Sequence, residues 1–217
     1  GRGFIKMMTG RDEVELKPIL LNGTYAIMKT YTKPYASCRY THPSVEAAIH
    51  LRERVRVEDI ERIDIKTYSL AVAGHDHTDI PGSYSAKMSI PYATAAGFIY
   101  GKAGLQEFSE ERVCGKAIFD LTKKIHVEPD AELSALFPGI QAAIVNVTRR
   151  DGSILTERVD FPKGEPENPL DEMEFKSRYD DLMKYGHQTS GDEVYRLIYA
   201  KETKIRKVME LMRGGMK

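Results

Sequence analysis

The apolar positions along the chain follow no period until about residue 24, and Gly10-Arg11-Asp12-Glu13 and Asn22-Gly23 read as turns. Tyr25 to Tyr35 is rich in Tyr, Thr and Ile, which predicts an extended strand ending at Lys33-Pro34. Pro43 then sits where a helix can start, near Thr41 or His42, and Val45, Ala48, Ile49 and Arg52 share one face of that helix. The first three of those residues are expected to pack inward. From Arg62 to Leu70 the period drops to two, with Ile63, Ile65 and Thr67 on one side and Arg62, Asp64 and Lys66 on the other. That alternation predicts a half-buried strand.

A polar loop, Gly74 to Gly82, leads into the stretch around which the rest is organised, Ser83 to Gly101. It is rich in alanine, opens with serines suited to capping and closes on a glycine, so it predicts a helix that another element can approach closely. Pro91 does not fit a helix interior, so the chain near Tyr92 is expected to be distorted or freshly restarted. Farther on, Ser109-Glu110-Glu111 predicts a capped turn. Cys114, Ala117, Ile118 and Leu121 have helical spacing, and Ile125-His126-Val127 reads as a brief strand. Gln141 to Arg149 and Ile154 to Phe161 both alternate around Asp151-Gly152, which predicts a hairpin.

Past Gly164 the pattern is helical throughout. Asn168-Pro169 predicts a helix start, with a stripe of Phe175, Tyr179, Leu182 and Met183. Ser190-Gly191-Asp192-Glu193 reads as a capping box for a second helix, and Ile205, Val208, Met209 and Met212 mark a third. Gly214-Gly215 is expected to fray. The fold class is therefore α+β, an antiparallel β-sheet with helices packed on it, followed by C-terminal helices.

Composition narrows the function by exclusion. The 217 residues suffice for a real core, and 41% hydrophobic with 29% charged residues is the balance of a folded chain. Lys+Arg and Asp+Glu stand at 32 each, so net charge points to neither nucleic acid nor membrane as a partner. Two cysteines, Cys38 and Cys114, are too few for a disulfide framework and fit a reducing, cytoplasmic setting. The N-terminus begins without methionine and lacks a signal-peptide core, and it reads as a cut partway through a longer protein, although processing or a tag scar would look the same. There is no glycine-rich phosphate loop and no nucleophile elbow.

Three blocks carry a family resemblance. Ala86-Lys87-Met88-Ser89-Ile90-Pro91-Tyr92 is similar to the A-[KR]-x-S-x-[PQ]-Y signature of the MmgE/PrpD family. Upstream, Lys33-Pro34-Tyr35-Ala36-Ser37-Cys38-Arg39 with Thr41-His42-Pro43 resembles a second block. Downstream, Gly164-Glu165-Pro166-Glu167-Asn168-Pro169-Leu170 resembles a third. The family includes 2-methylcitrate dehydratase, cis-aconitate decarboxylase and iminodisuccinate epimerase. Its members resemble one another in having a large helical domain, a smaller α+β lid and helices that return to the first domain.

The resemblance covers only the later part of that layout. It implies a connector over residues 1–24, a lid over 25–163 and a C-terminal helical segment over 164–217. It further implies a cofactor-independent lyase or isomerase that dehydrates, decarboxylates or epimerises a small polycarboxylic acid, such as 2-methylcitrate or cis-aconitate, by proton transfer next to a carboxylate. The implied partners are that substrate, a helical domain outside this chain and a second copy in a homodimer. By itself the chain is expected to be inactive, because the family's catalytic histidines belong to the helical domain. The competing expectation is a non-catalytic α+β binding or assembly module.

By the same resemblance Tyr92 takes the position of a lid acid/base, although its phenol, with an ordinary pKa of about 10, must be tuned for that work. Lys33 and Arg39 flank an extended segment and supply the fixed cations that a polycarboxylate needs, arginine as a bidentate fork. Lys87 and Ser89 share the signature with Tyr92, and a regular helix would place Ser89 and Tyr92 on one face. Cys38 invites a nucleophile reading, but no histidine and acid lie at a recognisable spacing from it. His75-Asp76-His77 offers two metal-ligand types without an evident third ligand, so the expectation is no metal and no cofactor.

Overall fold

The computed structural model describes residues 4–11, 25–189, 191–200 and 205–214. The chain divides into two compact units, residues 1–30 and 31–217. The first holds a short helix, α1 (Phe4–Thr9), and a single 3₁₀ turn at Ala26–Lys29, closed where the Thr30 hydroxyl donates to the Ile27 carbonyl at 2.7 Å. The strand expected over Tyr25–Tyr35 is therefore not formed. β-propensity is realised only against a neighbouring strand, and the sheet positions are filled by other strands.

The second unit runs in order α2 (His42–Leu51), β1 (Ile60–Thr67), α3 (Ser69–Val72), α4 (Ser83–Met88), α5 (Ile90–Tyr100), α6 (Glu110–Val113), α7 (Lys116–Thr122) and β2 (Ile125–Pro129). It continues through α8 (Ala131–Leu136), β3 (Ala143–Arg149), β4 (Ile154–Val159), α9 (Glu172–Tyr185), α10 (Gly191–Tyr199) and α11 (Ile205–Gly214). The α+β class holds, with one correction. The sheet order is β2-β1-β3-β4, and β2 joins β1 in parallel, so the sheet is mixed rather than antiparallel. The reason lies in the connection: a helical crossover, α3 to α7, returns the chain to the starting end of β1.

The alternation read from the sequence survives. Ile63, Ile65 and Thr67 are buried, and Ile63 stands between Ile125 of β2 and Val147 of β3. The β3–β4 hairpin pairs Val145 with Glu157 and Val147 with Leu155, and its turn passes through Gly152 at φ 84°. Ile118 and Leu121 of α7 are buried as expected, whereas Ala117 is exposed on the same helix and Cys114 is exposed because Gly115 interrupts the helix between it and the rest of the stripe.

The organising stretch is two helices sharing one residue. Ser89 is extended (φ −92°, ψ 119°) and ends α4 while capping α5, its Oγ accepting from the Tyr92 amide at 3.1 Å. Pro91 follows in the first turn of α5, where its missing N–H costs nothing. Ile90 to Phe98 are all buried, so α5 is a core helix without a solvent face. It crosses α2 closely at Gly97, where a Cβ would lie 2.9 Å from the Val45 carbonyl oxygen and 3.0 Å from the Ala48 Cβ. As expected, Val45 and Ala48 are buried and Ile49 packs against this core.

The C-terminal helices form a smaller cluster of Val194, Leu197 and Val208, with Tyr179, Leu211 and Met212 around it. The α9 cap is a second correction. The helix starts at Glu172 under Asp171, which forms a capping box with Glu174. Asn168 is occupied elsewhere, donating to Glu46 Oε1 at 3.2 Å and to the Phe161 carbonyl at 3.0 Å. Within the stripe, Phe175 is 38% and Leu182 40% exposed. The expected box at Ser190 and the fraying at Gly215 lie outside the described residues, as do Asp12-Glu13 and Asn22-Gly23. Among the described residues no helix is long and apolar enough to cross a membrane.

Candidate functional site

The site is built on the segment from Tyr31 to His42. Two backbone hydrogen bonds fasten it across the organising helices. Ala36 N–H donates to the Ala103 carbonyl at 2.8 Å, just past α5, and Cys38 N–H to the Lys87 carbonyl at 2.8 Å, near the end of α4. Inside the segment, Thr41 donates its hydroxyl to the Cys38 carbonyl (2.9 Å), so the 2.7 Å contact with Ser37 is a bond given by Ser37. Lys33 Nζ donates to the Ser37 carbonyl at 3.2 Å. The His42 Nε2 lies 3.4 Å from the same oxygen, which can only accept, so the ring carries its proton there. Burial, with help from the Arg39 cation, pushes the His42 pKa down to about 3, and the ring is neutral.

Arg39 reaches the third sequence block. Its Nε donates to Glu165 Oε1 at 2.9 Å, Nη2 bonds the same oxygen, and the Tyr31 ring lies over the guanidinium at 5.4 Å. The side chain is only 11% exposed, yet its Nη1 is buried and has no hydrogen-bond partner among the described residues. A buried donor of this kind calls for a partner from outside the chain, a water or a ligand.

Beside it, the Cys38 sulfur lies 3.7 Å from His75 Nε2. His75 Nδ1 is 2.9 Å from the Ala73 carbonyl oxygen, an acceptor, so Nδ1 bears the proton and Nε2 is free to accept from the thiol. Tyr40 sets an edge against the imidazole (5.1 Å) and another against Tyr68 (5.8 Å), whose hydroxyl donates to Gln141 at 3.1 Å. Burial raises the Tyr68 phenol well above its ordinary value, so it stays protonated there. This arrangement sets a thiol against a neutral-ring acceptor nitrogen beside the Arg39–Glu165 ion pair, where a proton can pass between sulfur and nitrogen.

The other expected residues fall elsewhere. Tyr92 is 1% exposed, packs against Phe108 and donates its hydroxyl to the Glu107 carbonyl at 2.9 Å. In this chain it faces the core, and burial holds the phenol above its ordinary pKa. Ser89 is buried, with its hydroxyl donated to the His77 carbonyl at 2.6 Å. Lys87 contributes the carbonyl that holds Cys38, while its half-buried side chain has no partner among the described residues. The two loop histidines diverge: His77 contacts Ser85 Oγ at 3.0 Å, not Cys38.

His75, weighed in the sequence only as a metal-ligand type, has a contact with Cys38 that sequence reasoning missed. It stands thirty-seven positions from Cys38, and no spacing rule joins a loop histidine to a cysteine on another segment. The available signal was indirect: Gly74-His75 opens the loop that leads into the helix pair whose α4 end anchors Cys38.

A profile described as the MmgE/PrpD C-terminal domain matches residues 35–201. A cis-aconitate decarboxylase from Aspergillus terreus is 27% identical over 183 residues, covering 75% of this chain and 37% of the relative. Another cis-aconitate decarboxylase, from Aspergillus terreus strain NIH 2624 / FGSC A1156, is 27% identical over 180 residues, with the same coverage. The chain thus spans 37% of the length of the curated relatives it matches.

Proposed function

The chain belongs to the MmgE/PrpD family, whose C-terminal domain occupies most of its length, and from this premise we propose that it forms the lid side of a cofactor-independent lyase or isomerase. The substrate class is a small polycarboxylic acid, with cis-aconitate the first to test because both relatives are named as its decarboxylases. Residues 25–163 act as the lid and 164–217 as helices that dock on a helical domain. Turnover requires that domain.

One observation carries the reading: the unpaired Arg39 Nη1 lies in the same segment as the Cys38–His75 pair. One substrate carboxylate takes the free Arg39 donor, reached when Tyr31, 39% exposed, turns aside. Lys33, exposed on the same segment, exchanges the Ser37 carbonyl for a second carboxylate. The sulfur and imidazole then hold the proton that is added to or taken from the carbon next to a carboxylate, whichever of dehydration, decarboxylation or epimerisation occurs. Tyr92 and Ser89 support this face from within through the α4–α5 junction. Lys87 remains a candidate for a further carboxylate contact.

The test is binding before catalysis. Tricarballylate, a saturated tricarboxylate that cannot react, is titrated into the chain by calorimetry. The expected result is saturable binding weakened at least tenfold by Arg39→Ala. Equal binding by the variant sinks the assignment.

A further inference from the structure

At the far end of α2, one helix length of about 15 Å from Arg39, five arginines surround an open pocket of about 550 Å³. Arg52, Arg54 and Arg56 come from the end of α2 and the loop after it, and Arg149 and Arg150 from the β3–β4 turn. Buried Val55 gives the pocket an apolar wall. We propose that this pocket binds a diphosphate group carried by a small molecule, at a site separate from the candidate active site.

Two of the guanidinium groups are already fixed in position. Arg52 Nε donates to the Phe98 carbonyl at 3.1 Å, and its guanidinium lies where a side chain on Gly101 would be, a Cβ there falling 2.6 Å from Nη1. Arg149 is held by the Arg54 carbonyl, which ties the hairpin turn to the α2 loop. Ordering them on binding therefore loses little further freedom. Arg150 is exposed and its guanidinium has no partner among the described residues, while Arg54 has only a 3.8 Å contact with Glu157.

The acidic lining offsets only part of this charge: five arginines face three carboxylates, Glu53, Asp59 and Asp151, of which Asp59 is spent on Arg56. Asp59 is engaged by Arg56 at 3.0 Å, and Asp151 accepts from Ser153 N and Oγ at 2.9 and 2.6 Å within its own turn. Glu53 has no hydrogen-bond or ion-pair partner among the described residues. Phosphate oxygens match the planar donors of arginine in pairs, and a diphosphate presents enough of them to engage several guanidinium groups at once. The volume lies in the range of small-molecule sites, enough for a diphosphate with a carrier attached.

The test is calorimetric titration of the chain with inorganic pyrophosphate, ADP and sulfate at two salt concentrations. Saturable pyrophosphate binding is expected, weakening as salt rises. The exposed double variant Arg54→Ala/Arg150→Ala should bind at least tenfold more weakly, with an unchanged circular-dichroism spectrum. Arg39→Ala should bind as the wild type does. ADP binding more tightly than pyrophosphate would assign the carrier as a nucleotide, and equal affinity would assign the diphosphate alone. Absence of saturable binding, sulfate binding as tightly as pyrophosphate, or equal affinity in the double variant overturns the proposal. So does a loss caused by Arg39→Ala, which would move the ligand to the other end of α2.

Discussion

The Cys38 sulfur and the His75 Nε2 lie 3.7 Å apart, each held in place by a backbone bond of its own residue: Cys38 N–H to the Lys87 carbonyl, and the His75 carbonyl from Ile90 N–H. Both anchors are in the α4–α5 pair, one on either side of Ser89. In a protein that also carries the helical domain, Cys38→Ala and His75→Ala should each lower kcat by about 10²- to 10⁴-fold, the usual range for general acid–base groups. The double variant should lose little beyond either single one, because the two act as a unit. Steady-state kinetics on cis-aconitate checks this, and additive losses would show that the pair does not work together.

Tyr92→Phe separates a strut from an acid. The Glu107 carbonyl loses a buried donor, so the chain should lose about 1–3 kcal/mol of stability in urea unfolding. Turnover in the complete enzyme should stay within threefold of wild type, as with Tyr100→Phe two turns along the same helix. A fall of about 10²- to 10⁴-fold would instead return the phenol to the reacting carbon.

His42 should make stability pH-dependent. Its folded pKa of about 3 lies below the unfolded value of 6.5, so between these pH values the unfolded chain holds the extra proton. Stability therefore rises with pH through this window and falls as the solution is acidified from 6.5 toward 3, by up to about 1.4 kcal/mol per pH unit. His42→Gln keeps a donor for the Ser37 carbonyl and cannot titrate. Its unfolding free energy, measured from pH 7 to 4, should decline less steeply than that of the wild type.

Gly97→Ala tests the α2–α5 crossing. The added methyl would meet the Val45 carbonyl oxygen at 2.9 Å and the Ala48 Cβ at 3.0 Å. Overpacking of this kind costs about 1–3 kcal/mol and outweighs the better helix propensity of alanine, at most about 1 kcal/mol. Thermal unfolding should report the loss. A variant as stable as wild type would mean that the helices separate freely.

What was legible in the chain was local. The Ser89 junction, the Pro43 helix start and the Asp151-Gly152 hairpin each depend on a few consecutive residues whose backbone preferences agree. The direction of β2 was not legible, because Ile125-His126-Val127 has the same pattern whichever way it pairs. Asn168 misled for a related reason. Its capping chemistry is real, but the buried Glu46 carboxylate, from another segment, engages it. His75 was hidden in the same way: its partner is fixed by where two anchored segments meet, and spacing along the chain does not record that.

The sheet order also dictates what the chain must endure while it is being made. β1 lies second in the sheet, yet both strands that flank it, β2 and β3, come later in the chain. As the polypeptide leaves the ribosome, Ile63 and Ile65 emerge with both backbone edges open, and remain so through the synthesis of α3 to α7. Only the arrival of Ile125 and then Val147 closes them. A nascent chain stalled before β2 would therefore present a bare apolar strand to its neighbours, the form most prone to aggregate or to recruit a chaperone.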